Sequence, residues 1–183
     1  MPDIRESEQI AGVYVVEPTT HGDQRGLFIE TYRREWIPGA REMLQANRSN
    51  KQAGALVGLH YHLHQSDYWY VPFGTVRVVL HDLREGGPTD GATACFDISG
   101  ENHHGVYIPP GVAHGFAALT DVVMTYLVDG YYNAADELGV AWDDAVIGAD
   151  WGVTEPILSE RDRANPRRAD LPANRRPYWP MRT

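Results

Sequence analysis

The sequence predicts an all-β domain, a sandwich or barrel, with short helices confined to the C-terminal part of the chain. Runs rich in β-branched and aromatic residues recur along the 183 residues, and Gly, Pro, Asn and Asp separate them at short intervals. This spacing is typical of two-layered antiparallel proteins. The only early segment with helical character, YRREWIPGAREML, is interrupted by a Pro-Gly pair.

These runs predict nine strands. In chain order they are GVYVVEP, GLFIETY, ALVGLHYHL, DYWYVPF, TVRVVLHDL, ATACFDIS, GVYIPPG, HGFAAL and VVMTYLVDGYY. Gly74 closes the hairpin between the fourth and fifth, and the imperfect alternation of the fifth suits a strand partly covered on both faces. From about residue 155 the chain changes to short helix or turn, beginning with LSERDRA. We predict a single domain over residues 1–166 and an Arg- and Pro-rich tail over residues 167–183.

Composition and charge restrict the function classes. The formal net charge of −9 and the pI of about 5.3 argue against nucleic acid or an anionic membrane as the main partner. No apolar run approaches the roughly 18 residues of a membrane span, and the N-terminal MPDIRESEQI lacks a signal-peptide core. The single cysteine, Cys95, excludes an internal disulfide, and we expect a buried, inert thiol. We predict a cytoplasmic protein.

Three histidines on alternate positions mark the segment GLHYHLHQSDYWYVPFG. Alternate residues of a strand share a face, so His60, His62 and His64 point the same way if the strand runs straight. If the strand bends, we expect His64 to face elsewhere. The string from His60 fits H-x-H-x4-D-x6-G, and PPGVAH downstream fits P-x-G-x2-H. The two patterns resemble the two motifs of the cupin superfamily, with Asp67 in the usual Glu position.

The cupin resemblance implies a β-sandwich or jelly-roll barrel whose interior holds one metal ion. Carried over position by position, the ligands are His60, His62, Asp67 and His114. Three imidazoles and a carboxylate suit divalent Fe, Mn, Ni or Zn. The alternative is a set of polar side chains that line a barrel mouth, each hydrogen-bonded without metal.

A longer resemblance runs from about Gly22 to Pro166. The segments that carry it are GDQRGLFIETY, QANRSN, VGLHYH, IPPGVAHGF, TYLVDGYYNAADELGVAWDDAVIGADW and LSERDRANP. In their order and content they are similar to the dTDP-4-dehydrorhamnose 3,5-epimerase family, whose members are cupin-fold enzymes. The resemblance implies an isomerase of deoxysugar biosynthesis that removes a proton next to a ketone and returns one on the opposite face.

The family resemblance implies a role for several residues. His60 is the base, because histidine has a suitable intrinsic pKa, and Asp162 is the carboxylate that orients it. Tyr126 is the acid on the opposite face, and Tyr131 and Tyr132 line the pocket. The implied nucleotide-sugar contacts are Arg25, Glu30, Gln45, Asn47, His114, Glu137 and Arg161. The family also implies a homodimer with crossed N-terminal strands and a nucleotide-diphospho-sugar as the partner.

The chain departs from the family pattern at five positions. Asp67 replaces the lysine that stabilises the enolate, Val57 replaces an arginine, and Ala46 and Val78 replace acidic residues; His62 replaces a glutamine. Removing one group that stabilises an oxyanion typically costs ~3 kcal/mol of transition-state energy. The exchanges of Gln for His and Lys for Asp are the two that would convert a metal-free pocket into a 3-His-1-carboxylate site.

Three functional hypotheses follow. The first is an epimerase that acts without cofactor on a dTDP-4-keto-6-deoxy-hexose, at carbon 3, carbon 5 or both. The second is a metal-dependent cupin enzyme that uses the 3-His-1-carboxylate site for isomerisation or oxygen chemistry. A histidine bound to metal cannot also be the free base, so the two exclude each other at His60. The third is a sugar-nucleotide-binding protein without catalytic activity.

Overall fold

The structure of the chain, a computed structural model, describes residues 1–180, and the strands in this range dominate it. They are β1 (Asp3–Glu6), β2 (Tyr14–Glu17), β3 (Thr20–Asp23), β4 (Gly26–Ile29), β5 (Gln45–Lys51), β6 (Leu56–Tyr61), β7 (Asp67–Phe73), β8 (Thr75–Asp82), β9 (Thr93–Ser99), β10 (Gly105–Ile108), β11 (Val112–Ala118), β12 (Val122–Val128) and β13 (Leu138–Gly139). One short helix, α1 (Glu160–Ala164), follows, and single 3-10 turns occupy Arg34–Trp36, Arg168–Asp170 and Ala173–Arg175.

The strands form two antiparallel sheets that pack face to face. The six-stranded sheet has the order β1-β2-β10-β7-β12-β5, and the five-stranded sheet has the order β13-β6-β11-β8-β9. Buried side chains of both sheets meet between them, among them Trp69 and Met124 from the first and Val78 and Phe116 from the second. The all-β prediction is therefore confirmed. Strands β3 and β4 pair only with each other, as a separate hairpin.

Each of the nine predicted strands overlaps an observed one, but GLFIETY continues three residues past β4, VVMTYLVDGYY continues four residues past β12, and β11 begins two residues before its predicted run. Strands β1, β3, β5 and β13 were not predicted. β5 has the sequence QANRSNK, whose polar residues alternate between half-buried and exposed positions. Its inward face is polar, so hydrophobic alternation could not reveal it. The segment YRREWIPGAREML forms only the 3-10 turn at Arg34–Trp36.

Residues 167–180 lie against the sandwich. Leu171 is buried, and the backbone N–H of Trp179 donates to the carbonyl of Glu85 at 3.0 Å. Residues 181–183 of the predicted tail lie outside the described residues, and the domain boundary at residue 166 stays a prediction. The prediction of a buried thiol was wrong, because Cys95 is exposed on β9, an edge strand. Within residues 1–180 no helix has the length and hydropathy to cross a membrane.

A buried ion pair lies at the C-terminal end of β8, where Asp82 is the last residue of the strand. Asp82 and Arg84 are 0% and 2% exposed, and two guanidinium nitrogens donate to the two carboxylate oxygens at 2.7 Å each. Thr89 donates a further hydrogen bond to Asp82 at 2.6 Å, and the Trp179 ring lies 5.0 Å from the guanidinium carbon. Burial works to raise the pKa of the Asp82 carboxyl, but the hydrogen bonds from Arg84 and Thr89 lower it.

Candidate active site

A cavity of about 270 Å³ opens between the two sheets. Its walls contain polar and titratable side chains from both sheets and from the segments that precede and include α1. The lining residues are Ser49, Lys51, Val57, His60, His62, Gln65, Asp67, Trp69, His114, Gly115, Phe116, Met124, Tyr126, Glu137 and Arg161. Most of the catalytic and metal-ligand candidates from the sequence therefore meet in one place.

Two glycines bring β6 and β11 close together beside this cavity. Gly58 has a φ of +112°, and a Cβ atom there would lie 2.7 Å from both the Gly115 Cα and the His114 carbonyl oxygen. A Cβ at Gly115 would lie 2.6 Å from the Val57 carbonyl oxygen. Only glycine fits such an approach of two backbones. The pairing that results places His60 directly opposite His114.

His60 is held by a carboxylate from the C-terminal segment. Its Nε2 lies 2.6 Å from Oδ1 of Asp162, which is 4% exposed. The other Asp162 oxygen accepts a hydrogen bond of 2.8 Å from Ser159, and Ser159 caps the N-terminus of α1 by accepting from the Asp162 backbone N–H at 3.1 Å. The predicted pairing of His60 with Asp162 is thus present in the structure, across 102 positions of sequence.

The charge state of Asp162 determines the tautomer of His60. Burial works to raise the pKa of the Asp162 carboxyl, but hydrogen bonds from His60 and Ser159 outweigh it and hold the pKa below its usual value. An ionised carboxylate can only accept, so Nε2 of His60 carries the hydrogen of this bond. Nδ1 of His60 is then the nitrogen with a free lone pair, as a general base requires.

Tyr126 reaches the same cavity from the other sheet. It lies on β12 between Trp69 of β7 and Asn47 of β5. Burial raises the pKa of its phenol, and the carboxylates of Asp67 and Glu137 raise it further. The phenol is therefore protonated near neutral pH and able to give a proton. His60 and Tyr126 come from facing sheets, so the two side chains line different walls of the cavity.

The histidine segment bends after the second histidine. β6 ends at Tyr61, and Asp136 accepts hydrogen bonds from the backbone N–H groups of Leu63 at 2.6 Å and His64 at 3.1 Å. The Asp136 carbonyl oxygen also lies 2.8 Å from Nδ1 of His62. His62 consequently faces the cavity and His64 is exposed. The straight-strand expectation holds only for His60 and His62.

Three of the four predicted metal ligands converge. One ligand atom each from His62, Asp67 and His114 lies within 4.8 Å of the others, and the residues are 5%, 4% and 6% exposed. Burial lowers the pKa of the His114 imidazole to about 4. His60 is not part of this group, because its Nε2 is bound to Asp162. The four-ligand set is therefore not assembled.

The predicted substrate contacts fall into two groups. His114, Glu137 and Arg161 line the cavity, and the Arg161 guanidinium lies 3.5 Å from the Glu137 carboxylate. The structure does not place the others on the cavity wall. Arg25 and Glu30 lie at the exposed β3–β4 hairpin, whereas Gln45 and Asn47 lie on the half-buried face of β5 and hydrogen-bond to each other at 2.8 Å.

Tyr131 and Tyr132, expected at the pocket, are 72% and 71% exposed and lie outside its lining.

The sequence analysis did not identify one positively charged residue of the cavity, Lys51. Lys51 is the only lysine of the chain, and it lines the cavity from the end of β5. The signal was present in QANRSNK: if Asn47 faces inward on a strand, Lys51 four residues later does so as well.

Comparison with known proteins gives a consistent set of relatives. A family model described as dTDP-4-dehydrorhamnose 3,5-epimerase matches residues 7–170. The chain is 35% identical over 162 residues to the dTDP-4-dehydrorhamnose 3,5-epimerase of Shigella flexneri, which covers 84% of this chain and 90% of the relative. It is 38% identical over 159 residues to the protein of the same name from Neisseria gonorrhoeae, covering 83% of this chain. The chain spans 48% of the length of the Neisseria protein.

Solved structures show the same likeness in three dimensions. The dTDP-6-deoxy-D-glucose-3,5-epimerase of Legionella pneumophila, in complex with dTDP-4-keto-L-rhamnose, has a TM-score of 0.92 at 31% identity and covers 98% of this chain and 99% of that one. ChmJ, a 3'-monoepimerase from Streptomyces bikiniensis in complex with dTDP-quinovose, has a TM-score of 0.89 at 30% identity. The match covers 96% of this chain and 93% of ChmJ.

Proposed function

The chain belongs to the dTDP-4-dehydrorhamnose 3,5-epimerase family, and on that premise we propose that it epimerises a dTDP-4-keto-6-deoxy-hexose next to the ketone. It is an isomerase of the carbohydrate-epimerase class. One observation supports the assignment of its catalytic residues. His60 and Tyr126 line one cavity from opposite sheets. The buried Asp162 carboxylate orients the His60 imidazole, and the Tyr126 phenol is protonated.

The proposed reaction is a proton removal followed by reprotonation on the other face. Nδ1 of His60 takes the proton from the carbon next to the ketone, and the C–H electron pair moves into an enolate. The Asp162 carboxylate stabilises the imidazolium that forms. The phenol of Tyr126 then gives its proton to the opposite face of that carbon, which inverts the centre and restores the ketone. Solvent carries the proton from the imidazolium back to the tyrosinate, so no organic cofactor is consumed.

Two cations of the cavity suit the diphosphate of such a substrate. Lys51 and Arg161 both line the wall, and the Arg161 guanidinium is oriented by the carboxylate and the backbone oxygen of Glu137. A guanidinium binds phosphate oxygens in pairs, and an ammonium acts as a point charge. We assign both to the diphosphate. Gln45 and Asn47 remain predicted contacts farther along the same face of β5.

We further propose that the active protein is a homodimer in which the β3–β4 hairpin of one protomer reaches the cavity of the other. Leu27 and Phe28 of this hairpin are 55% and 64% exposed, a pair of large apolar side chains that a partner would cover. Arg25 and Glu30 lie next to them, away from the cavity of their own chain. A second copy is therefore the available route for these two predicted contacts.

Mixing two impaired variants tests this arrangement. In a mixed dimer of Arg25→Ala with His60→Ala, one of the two sites combines an intact arginine with an intact histidine if Arg25 acts across the interface. Random mixing then restores up to about a quarter of the wild-type activity. No restoration, or a monomer in sedimentation equilibrium, contradicts the proposal.

Deuterium incorporation tests the function itself. A dTDP-4-keto-6-deoxy-hexose incubated with the protein in heavy water should take up deuterium at one or both carbons next to the ketone, as detected by mass spectrometry. We expect His60→Ala to slow this uptake by about 10³-fold, because the base is lost. His64→Ala, a substitution of the exposed neighbour, is the matched control and should behave like wild type. Uptake at the wild-type rate in His60→Ala, or none in wild type, contradicts the proposal.

The structure bears differently on the other two hypotheses, a binding protein without activity and a metal-dependent enzyme. The presence of both His60–Asp162 and Tyr126 at one cavity favours catalysis over a binding protein without activity. Metal-dependent oxygen chemistry has one supporting observation, the convergence of His62, Asp67 and His114. These residues leave His60 free as the base, so a metal and the proposed proton transfer no longer exclude each other. A cytoplasmic location stays a prediction that rests on composition.

A further inference from the structure

We propose that His62, Asp67 and His114 form a binding site for one divalent transition-metal ion in the wall of the cavity. Their side chains converge from three separate places in the fold: the bend after β6, the start of β7 and the middle of β11. Nε2 of His62 lies 3.9 Å from Oδ1 of Asp67, and Nε2 of His114 lies 3.9 Å from Oδ2.

The hydrogen bonds of the two imidazoles identify Nε2 as the nitrogen of each ring that can bind a metal. Nδ1 of His62 lies 2.8 Å from the Asp136 carbonyl oxygen, and Nδ1 of His114 lies 3.0 Å from the Val112 carbonyl oxygen. A carbonyl oxygen accepts, so each Nδ1 carries the hydrogen and each neutral ring has its lone pair on Nε2. Neither Nε2 has a hydrogen-bond partner in the part of the chain that is described.

Two lone pairs and a carboxylate therefore face one another in a nearly buried setting. An Nδ1–H bound to a backbone carbonyl, with Nε2 directed at a shared point, is the arrangement that orients histidine ligands of metals. The Asp67 carboxylate is oriented as well, since Gln65 donates to Oδ1 at 2.9 Å and Trp69 donates to Oδ2 at 3.1 Å. A cation at the shared point satisfies all three groups.

The donor atoms define the class of ion. Two imidazole nitrogens and one carboxylate oxygen suit first-row transition metals, whereas Mg²⁺ and Ca²⁺ prefer oxygen ligands alone. Bonds of about 2.0–2.2 Å require the three side chains to move together by a few tenths of an ångström. Three protein ligands leave coordination positions open, and the open side faces the cavity.

The position of the site suggests what the ion does, a role that rests on the proposed function. By the family resemblance, Asp67 occupies the position of a lysine that stabilises the enolate. An ion held by Asp67 returns a positive charge to that position, where it can polarise the ketone oxygen as a Lewis acid. His60 and Tyr126 keep their assigned parts in the proton transfers.

Metal binding is tested apart from activity. Tag-free full-length protein is treated with chelator, gel-filtered and titrated with Co²⁺, whose visible absorption reports on coordination by nitrogen ligands. We expect one Co²⁺ per chain, with affinity at least about 100-fold weaker in His62→Gln and Asp67→Asn. His64→Gln and His60→Gln should bind as wild type does, and circular dichroism checks that each variant is folded.

The results decide the proposal in either direction. No saturable Co²⁺ spectrum with wild type, or equal affinity in His62→Gln, overturns the site. If Asp67→Asn does not fold, the test rests on His62→Gln, because glutamine is the residue usual at position 62 in the family. Loss of deuterium uptake on chelation and its return with added metal support the Lewis-acid role. Uptake that persists in the chelated protein overturns that role and leaves the proposed function intact, whereas no uptake in either form contradicts the function alone.

Discussion

Two carboxylates of this protein are buried to nearly the same degree, yet their surroundings differ. Asp82 is fully enclosed, and two guanidinium nitrogens and a hydroxyl donate to its oxygens. Asp67 also receives two hydrogen bonds, from Gln65 and Trp69, but no Lys or Arg among residues 1–180 pairs with it within hydrogen-bond distance. Two imidazole nitrogens face it instead, each 3.9 Å away.

We interpret the difference as that between a structural cluster and the proposed functional one. At Asp82 every requirement of the buried charge is met by the chain itself, so nothing further needs to bind. At Asp67 the chain supplies acceptors and lone pairs in excess and turns them toward a cavity. Polar atoms on a cavity wall that lack a partner in the chain are available to a ligand or an ion. The comparison predicts that substitutions near Asp82 affect stability and that substitutions around the cavity affect chemistry.

The largest expected effect is on the structural side. Arg84→Met removes the partner of a fully buried carboxylate and should lower the free energy of unfolding by about 3–5 kcal/mol. The catalytic rate of the protein that remains folded should not change, because Arg84 lies outside the cavity lining. Urea denaturation followed by fluorescence, together with the epimerisation rate below the melting temperature, measures both quantities.

Arg5→Met is the matched control for this substitution. Arg5 pairs with Glu17 at 3.1 Å, but both side chains are at least half exposed, so the loss should be within about 1 kcal/mol. A fall in the catalytic rate of folded Arg84→Met, or a stability equal to that of Arg5→Met, breaks the proposed division between the clusters.

On the functional side, Tyr126→Phe should lower the rate of epimerisation by about 10²-fold. The phenol is the proposed acid, and its hydroxyl has no hydrogen-bond partner among the described residues, so stability should change little. His60 is intact in this variant and still removes the substrate proton, so deuterium uptake should persist after inversion is lost. Loss of both in parallel would assign Tyr126 to substrate binding rather than to proton donation.

A pH-dependent effect concerns a histidine of the structural side. His81 is fully buried, and burial, together with the positive charge of Arg168, lowers its pKa to about 4, against a weaker opposing effect of Asp82, Asp144 and Asp90. The unfolded chain binds this proton near pH 6.5 and the folded chain only near pH 4. Stability is therefore full above pH 6.5 and falls as the pH decreases toward 4, by at most ~1.4 kcal/mol per pH unit from this residue.

His81→Asn should flatten that dependence. Asparagine can still donate a hydrogen bond to Thr93, which lies 2.8 Å from Nδ1 of His81, but it does not titrate. Urea denaturation at several pH values between 7 and 4 measures the slope in both proteins. Equal slopes would show that other groups, the buried His114 among them, account for the acid sensitivity.

The sequence allowed much of this molecule to be predicted, and the misses have physical causes. Apolar runs located nine strands: eight of them belong to the two packed sheets, and the ninth, β4, was found from the apolar residues of an exposed hairpin. β5 was missed because its inward side chains line a cavity and are polar. The pairing of His60 with Asp162 came from the family resemblance and not from spacing, since 102 positions separate the two residues. The same contact removes His60 from the predicted ligand set, which motif spacing cannot show.

Asp136 has a consequence for anyone who wishes to transplant this site into a relative. Its carboxylate fixes the bend after β6, and its carbonyl oxygen sets the ring orientation of His62. Copying the histidine segment alone would carry the ligand without the group that aims it. The segment with His62 and the segment with Asp136, about 70 residues apart, must therefore be transferred together. A graft or a recombination event that separates them should keep His62 but lose the orientation of its ring.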